Sequence, residues 1–217
     1  MEGCDCPMKH FELIVQDLGK HFNRRSIFRG LTFSLALGDS LAITGKNGSG
    51  KSTLSRILAG VLSPSSGFVQ YSSEGSAIQE ERMKDAVGFV SPYLNLYDEF
   101  TATENLFLLS MIRTNQNSLE TRVDDVLRRV GLWERRNDQV GIYSSGMKQR
   151  LKYAFALLHT PPMLILDEPT SNLDNDGVKL VKDIVRAQKK IGILVIATND
   201  SREVRWCEKK IVLNVGL

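Results

Sequence analysis

Apolar positions along the chain fall into short blocks divided by glycine and polar punctuation. Residues 12–18 and 31–37 read as strands, with the polar stretch 19–25 between them. Residues 41–44 form a short apolar run ending in glycine-rich sequence, the pattern of a strand feeding a loop. Residues 52–59 predict a helix closed by Gly60 in the C′ position. Pro64 and Gly67 mark a turn before another strand, 68–71. The middle of the chain reads as helical. Thr101-x-x-Glu104 predicts a capping box ahead of the apolar run 106–112. Leu119, Val123, Val126, Leu127 and Val130 share one helical face, which Gly131 ends. Met147, Leu151, Ala154 and Leu158 make a second stripe, with Lys148, Gln149 and Lys152 opposite. Alternation then resumes with a strand at 163–166 and a helix capped by Asp174 and running to Lys190. Strands at 193–197 and 211–215 follow. Continuous apolar strands alternating with helices predict an α/β fold with a buried, mostly parallel sheet and a helical middle inserted into it.

Composition narrows the function classes. The 217 residues carry 28 Lys+Arg against 25 Asp+Glu, a net charge of +3. The cations come as scattered pairs such as Arg24-Arg25, Arg128-Arg129 and Arg135-Arg136, so no nucleic-acid partner is expected. The most apolar runs, 163–166 and 193–197, fall far short of the ~20 residues a membrane span needs. Nor does the start of the chain read as a signal peptide. The expectation is a cytosolic protein, or one held at a membrane by a partner. Three cysteines (Cys4, Cys6 and Cys207) argue against a disulfide framework. Cys4-x-Cys6 lacks the ligands to complete a tetrahedral metal site, since His10 alone is too little.

Two motifs carry chemistry. Gly45-Lys46-Asn47-Gly48-Ser49-Gly50-Lys51-Ser52 matches G-x-x-x-x-G-K-[ST] between a predicted strand and a predicted helix. Its glycines let backbone N–H groups surround phosphate oxygens, and the helix start adds a positive dipole end. Lys51 supplies charge for the β- and γ-phosphates, the Ser52 hydroxyl can ligate Mg²⁺, and Thr53 follows on the same turn. The second motif is the apolar strand 163–166 ending in Asp167-Glu168, which sets two acids at the carboxyl edge of the sheet. Asp167 can hold the Mg²⁺ shell, and Glu168 can polarise a water against the γ-phosphate. Together they predict Mg²⁺-dependent hydrolysis of a nucleotide.

Tyr143-Ser144-Ser145-Gly146-Met147-Lys148-Gln149-Arg150 resembles the signature motif of ABC-type ATPases, and Ser171-Asn172-Leu173-Asp174 resembles their D-loop. The resemblance runs from about Phe22 to the C-terminus. It implies a P-loop NTPase core with an N-terminal antiparallel β part and an inserted α-helical signature subdomain. As one domain over 1–217, the core would be 1–90 and 160–217 and the helical subdomain about 91–159. It implies ATP and Mg²⁺ as cofactors. It also implies an ATP-dependent dimer, with itself or a related cassette, in which Ser144, Ser145 and Gly146 of one subunit touch the γ-phosphate held by the other. Phe22 falls where the family places an aromatic that stacks on adenine, although an ordinary core phenylalanine is the rival reading. Two positions depart from the pattern. Pro92 stands where the family's Gln-loop carries glutamine, and Asn199 where it carries its switch histidine. Proline offers neither an amide side chain nor an N–H, and asparagine can bond a phosphate but cannot gain a proton.

The resemblance implies the ATPase subunit of a membrane transporter, with a separate transmembrane permease and a place on the inner face of the cell membrane. The aromatic-rich segment 93–107 would receive a coupling helix of the permease or, equally, serve as core of the helical unit. The Ser-Gly-Met-Lys-Gln-Arg form resembles ATPases of ABC-2-type exporters, and the short cassette resembles haem-exporter ATPases, with little length left for a regulatory domain. The rival readings are a soluble ABC ATPase acting on ribosome or DNA, and a P-loop kinase or GTPase.

Overall fold

The computed structural model describes residues 10–23, 25–111 and 119–214. Cys4, Cys6, Arg24, Ile112 and Val215, named above, lie outside them. Two sheets stack with α1 between them. The first is antiparallel in the order β2-β1-β4-β5, from β1 (Phe11–Phe22), β2 (Arg25–Ala36), β4 (Ser66–Ser73) and the two-residue β5 (Ser76–Ala77). The second is wholly parallel in the order β6-β7-β8-β3-β9. Its strands are β3 (Ser40–Thr44), β6 (Val87–Val90), β7 (Met163–Asp167), β8 (Ile193–Ala197) and β9 (Lys209–Val212). Helix α1 (Lys51–Leu58) follows β3, and the short α2 (Glu80–Ala86) leads into β6. Helices α3 (Ala102–Ser110), α4 (Leu119–Arg129) and α5 (Ser145–Leu157) lie between β6 and β7. Helix α6 (Asn175–Ile191) joins β7 to β8, and α7 (Ser201–Val204) precedes β9.

The predicted caps are present. Thr101 Oγ1 accepts from Glu104 N at 3.1 Å while Glu104 Oε2 accepts from Thr101 N at 2.8 Å. Asp174 Oδ1 accepts from Gly177 N at the start of α6. Gly60 stands past the end of α1 with φ 71°.

The sequence pattern misjudged some ends. The polar stretch 19–25 is not a connection: β1 runs through it to Phe22 and the hairpin turns at Asn23, whose φ is 53°. Ladder bonds between β1 and β2 hold this solvent-facing end, so it needs no apolar alternation. The last strand starts two residues earlier than expected, because Lys209 and Lys210 pair with β3 through backbone bonds, with Lys209 Nζ also donating to Asp39 Oδ2 at 2.8 Å. Helices α2 and α7 were not anticipated; each is short and polar.

Strands β3, β7 and β8 are buried along their whole length. Their period of two sends alternate residues to opposite cores. Leu164, Leu166, Leu194 and Ile196 pack with Leu106, Leu127, Leu151 and Ile184 from the helices. Met163, Ile165, Ile193 and Val195 pack with Leu54 and Leu58 of α1 and with Leu13 and Leu35 of the antiparallel sheet. The register pairs Asp167 with Ala197 and Ile43 with Ala197. The carboxyl ends of three central strands are therefore level, which brings the phosphate loop, the acid pair and Asn199 to one edge.

Candidate active site

The phosphate loop turns sharply from β3 into α1. Gly45 has φ 148°, and a Cβ there would stand 2.3 Å from the Leu213 carbonyl. Gly50 has φ 99° and caps α1, where a Cβ would stand 2.4 Å from Ile27 Cγ2. Only glycine fits both places. Lys51 is buried; its Nζ donates to the Gly45 and Lys46 carbonyls at 3.0 and 3.4 Å, folding the side chain over the loop it serves. Ser49 Oγ is buried with no partner among the described residues. Thr53 is half-buried on the first turn of α1.

Asp167 ends β7 fully buried. Ser52 Oγ donates to its Oδ1 at 3.1 Å, and its Oδ2 has no partner among the described residues. Burial holds the Asp167 carboxyl above the usual aspartate range, opposed by the Ser52 hydrogen bond and by the Arg56 and Lys51 charges. A buried carboxylate with an open oxygen beside a hydroxyl is a hard-oxygen donor set of the kind Mg²⁺ takes with phosphates and water. Glu168 occupies a left-handed conformation, φ 51°, fixed by its N–H donating to the Ala197 carbonyl at 2.9 Å. Its carboxyl is also raised by burial; the Lys51 charge opposes this, and the negative charge of Asp167 adds to it. Across the edge, Asn199 Nδ2 donates to Asn47 Oδ1, tying the end of β8 to the phosphate loop.

Ser144 caps α5, its Oγ accepting from Met147 N at 3.2 Å, and Ser144 and Ser145 are exposed. Gly146 is partly covered near the Asn172 carbonyl. Among the described residues no hydrogen bond joins these three to the phosphate loop or the acid pair. Phe22 lies 47% exposed at the end of β1, under the Lys20 ammonium. That exposure does not fit the core reading. The structure thus gathers Gly45–Thr53, Asp167, Glu168 and Asn199, and leaves the signature and Phe22 outside that cluster.

Sequence reasoning missed several pairings around the site. Arg150 Nη2 donates to Asp174 Oδ1 at 3.1 Å, linking α5 to the residues that start α6. Buried Glu203 accepts from Thr170 N at 3.1 Å and from Thr170 Oγ1. Tyr143 donates to the Arg135 carbonyl at 2.6 Å. These partners lie 8 to 33 residues apart, with no periodic spacing that would have flagged them.

The ABC transporter family matches residues 28–171, from β2 through the phosphate loop and the signature to the residues after the acid pair. The chain belongs to the ABC transporter family. An uncharacterized ABC transporter ATP-binding protein of Bacillus subtilis (strain 168) is 35% identical over 207 residues, covering 94% of this chain and 67% of that protein. Nod factor export ATP-binding protein I of Rhizobium leguminosarum bv. viciae is 32% identical over 218 residues, covering 98% of this chain and 70% of that one. A solved ATP-binding subunit of an ABC transporter superposes with a TM-score of 0.81 at 27% identity, covering 94% of this chain and 87% of that one. The chain spans about two thirds of the length of both sequence relatives. This ABC cassette is an ATP-binding and ATP-hydrolysing subunit of the membrane-transporter type, which sets aside the kinase, GTPase and soluble-ATPase readings. Among the described residues no helix is long and apolar enough to cross a membrane.

Proposed function

We propose that this ABC cassette is the motor of an exporter, dimerising with itself or a related cassette on ATP and acting on a separate transmembrane permease from the inner face of the membrane. The observation that carries the hydrolytic part is the Ser52–Asp167 pair, with its open Oδ2, next to the Lys51-lined phosphate loop. In this reading the backbone N–H groups of 45–52 hold the β- and γ-phosphates, and Lys51 trades its two carbonyls for phosphate oxygens. Ser52 and Asp167 hold Mg²⁺, which when bound neutralises charge on the β- and γ-phosphate oxygens. Glu168 orients a water and takes its proton as the water oxygen bonds the γ-phosphorus; the bond from that phosphorus to the bridging oxygen breaks, leaving ADP and phosphate. Phe22 stacks on adenine, and Asn199 donates an amide N–H to the γ-phosphate.

Ser144, Ser145 and Gly146 complete the site of the opposite subunit, since exposed small residues at a helix start suit an anion. The division into a core of 1–90 and 160–217 and a helical unit of about 91–159 belongs to the same reading. Export is favoured by the similarity to a Nod factor export protein. Haem is a candidate cargo, refuted if deletion leaves c-type cytochromes intact. The test of the whole is purification from membranes with MgATP. A co-purifying polytopic protein that stimulates hydrolysis is expected; no hydrolysis with the partner present overturns the proposal.

A further inference from the structure

We propose that the cleft between α6 and α7 is a second binding site, apart from the phosphate loop, for a small planar aromatic monoanion such as an aryl carboxylate. It goes beyond the ATPase reading and does not depend on it. Two cavities of about 340 and 320 Å³ open along this cleft, each of the size that small-molecule sites take. Lys182 and Trp206 line both, and neither is lined by residues 45–53, Asp167 or Glu168. Trp206 is held where the two meet by its main chain. Its N–H donates to the Glu203 carbonyl at 2.9 Å, and its own carbonyl accepts from Lys189 Nζ at 3.3 Å. The indole packs partly on the helical core, and its Nε1–H has no acceptor among the described residues.

Charge points to the kind of ligand. Lys182, Arg202 and Arg205 line the larger cavity together with Asp200 and Glu203. Arg202 and Asp200 answer each other, with Nε and Nη2 donating to the carboxylate at 2.6 to 3.1 Å. Glu203 is buried, and its Oε1 is taken by Thr170. Lys182 and Arg205 are exposed and have neither an ion pair nor a hydrogen bond among the described residues. Three cations against two acids leave one positive charge on this wall, which suits a monoanion. The smaller cavity adds no acid to its lining, and its Arg186 and Lys189 pair with Asp183 and Glu208, which do not line it. An aryl carboxylate in the cleft sets its ring against Trp206 and its oxygens toward Lys182 and Arg205, with Nε1–H as a further donor.

The test uses the full chain and naphthoate as probe, titrated by calorimetry and followed by tryptophan fluorescence. Binding at one site per chain is expected, with neutral naphthamide at least about tenfold weaker because its charge-assisted bonds are lost. Lys182→Met and Arg205→Met should each weaken naphthoate about fivefold without lowering the melting temperature, since both side chains are exposed. Trp206→Leu should weaken it about tenfold, whereas Trp206→Phe keeps a ring and most of the affinity but loses the fluorescence change. Saturating ADP should leave the probe in place. Equal binding of naphthamide and naphthoate, wild-type affinity in both Lys182→Met and Arg205→Met, displacement by ADP, or a Kd weaker than about 1 mM overturns the proposal. A chain that binds naphthoate in this way but does not hydrolyse MgATP overturns the ATPase reading alone.

Discussion

Asp167 and Glu168 are acids kept in an environment that favours their neutral forms, and this sets two pH dependences of opposite sense. Both carboxyls are raised above their ordinary values, with burial the largest cause. A raised acid contributes stability that is fully present below its unfolded pKa and is lost as pH rises through its folded pKa. Ionising either carboxyl therefore costs the chain alone stability as pH rises, and Asp167→Asn removes that cost at one of them. Without nucleotide at pH 7, that variant is expected to melt no lower than the wild type, while its MgATP turnover is lost. Thermal melts from pH 5 to 8 with and without Mg²⁺ check it, and a lower melting temperature in Asp167→Asn without Mg²⁺ contradicts it. Turnover runs the other way, since a base must be deprotonated. The acidic limb of kcat should lie above the ~4.3 of an ordinary glutamate and vanish in Glu168→Gln, whose rate falls about 10²–10⁴-fold. Asn199 titrates nowhere in that range, so an imidazole at this position adds a new limb near ~6.5. A profile of Asn199→His that matches the wild type places residue 199 away from the γ-phosphate.

Among the elements, those whose ends are marked by local chemistry were legible in the sequence. The capping box at Thr101 and Glu104, the Asp174 cap and Gly60 each act within a few residues, so short-range pattern suffices. The phosphate loop was legible for the same reason: it is one contiguous motif whose glycines, Gly45, Gly48 and Gly50, all take positive φ within six residues. What escaped were side chains whose backbone partners follow no recognised spacing. Asn105 is the clearest case, because a fully buried amide on α3 looks in sequence like a tolerated polar residue. In the structure its Nδ2 donates to the Tyr97 and Thr101 carbonyls, each at 2.9 Å, and its Oδ1 accepts from Tyr97 N at 2.8 Å. It fixes the whole run from Tyr97 into α3. Asn105→Leu takes the partner from Tyr97 N and one donor from each of the Tyr97 and Thr101 carbonyls, which keep the Phe100 and Asn105 N–H groups, so a loss of about 1–3 kcal/mol is expected from urea unfolding. A change under about 0.5 kcal/mol, the size of a typical surface substitution, would contradict it.

At the scale of the molecule, the resemblance to the ABC family left the aromatic segment 93–107 with two readings, core or docking surface, and burial sorts its residues into core and exposed ones. Leu106 and Ala102 are core. Tyr97 and Phe100 are 48% and 40% exposed, with ring centroids 5.7 Å apart. Backbone bonds from Val140 N to the Phe100 carbonyl and from Gly141 N to the Asp98 carbonyl bring Ile142, itself 66% exposed, alongside them. Asn105 keeps this ledge in shape from below, so its apolar groups are presented rather than left over from packing. Exposed apolar side chains gathered at one edge suit a surface that another protein covers. If that protein is the permease, Tyr97→Asp with Ile142→Glu should leave MgATP turnover of the isolated chain within about twofold of wild type, because neither side chain reaches the phosphate loop. The same variant should lose co-purification with the membrane partner, and with it any stimulation of turnover. Retained co-purification would assign the ledge to some other contact. Loss of basal turnover would mean that the ledge also shapes the site from which Asn105 and α3 separate it.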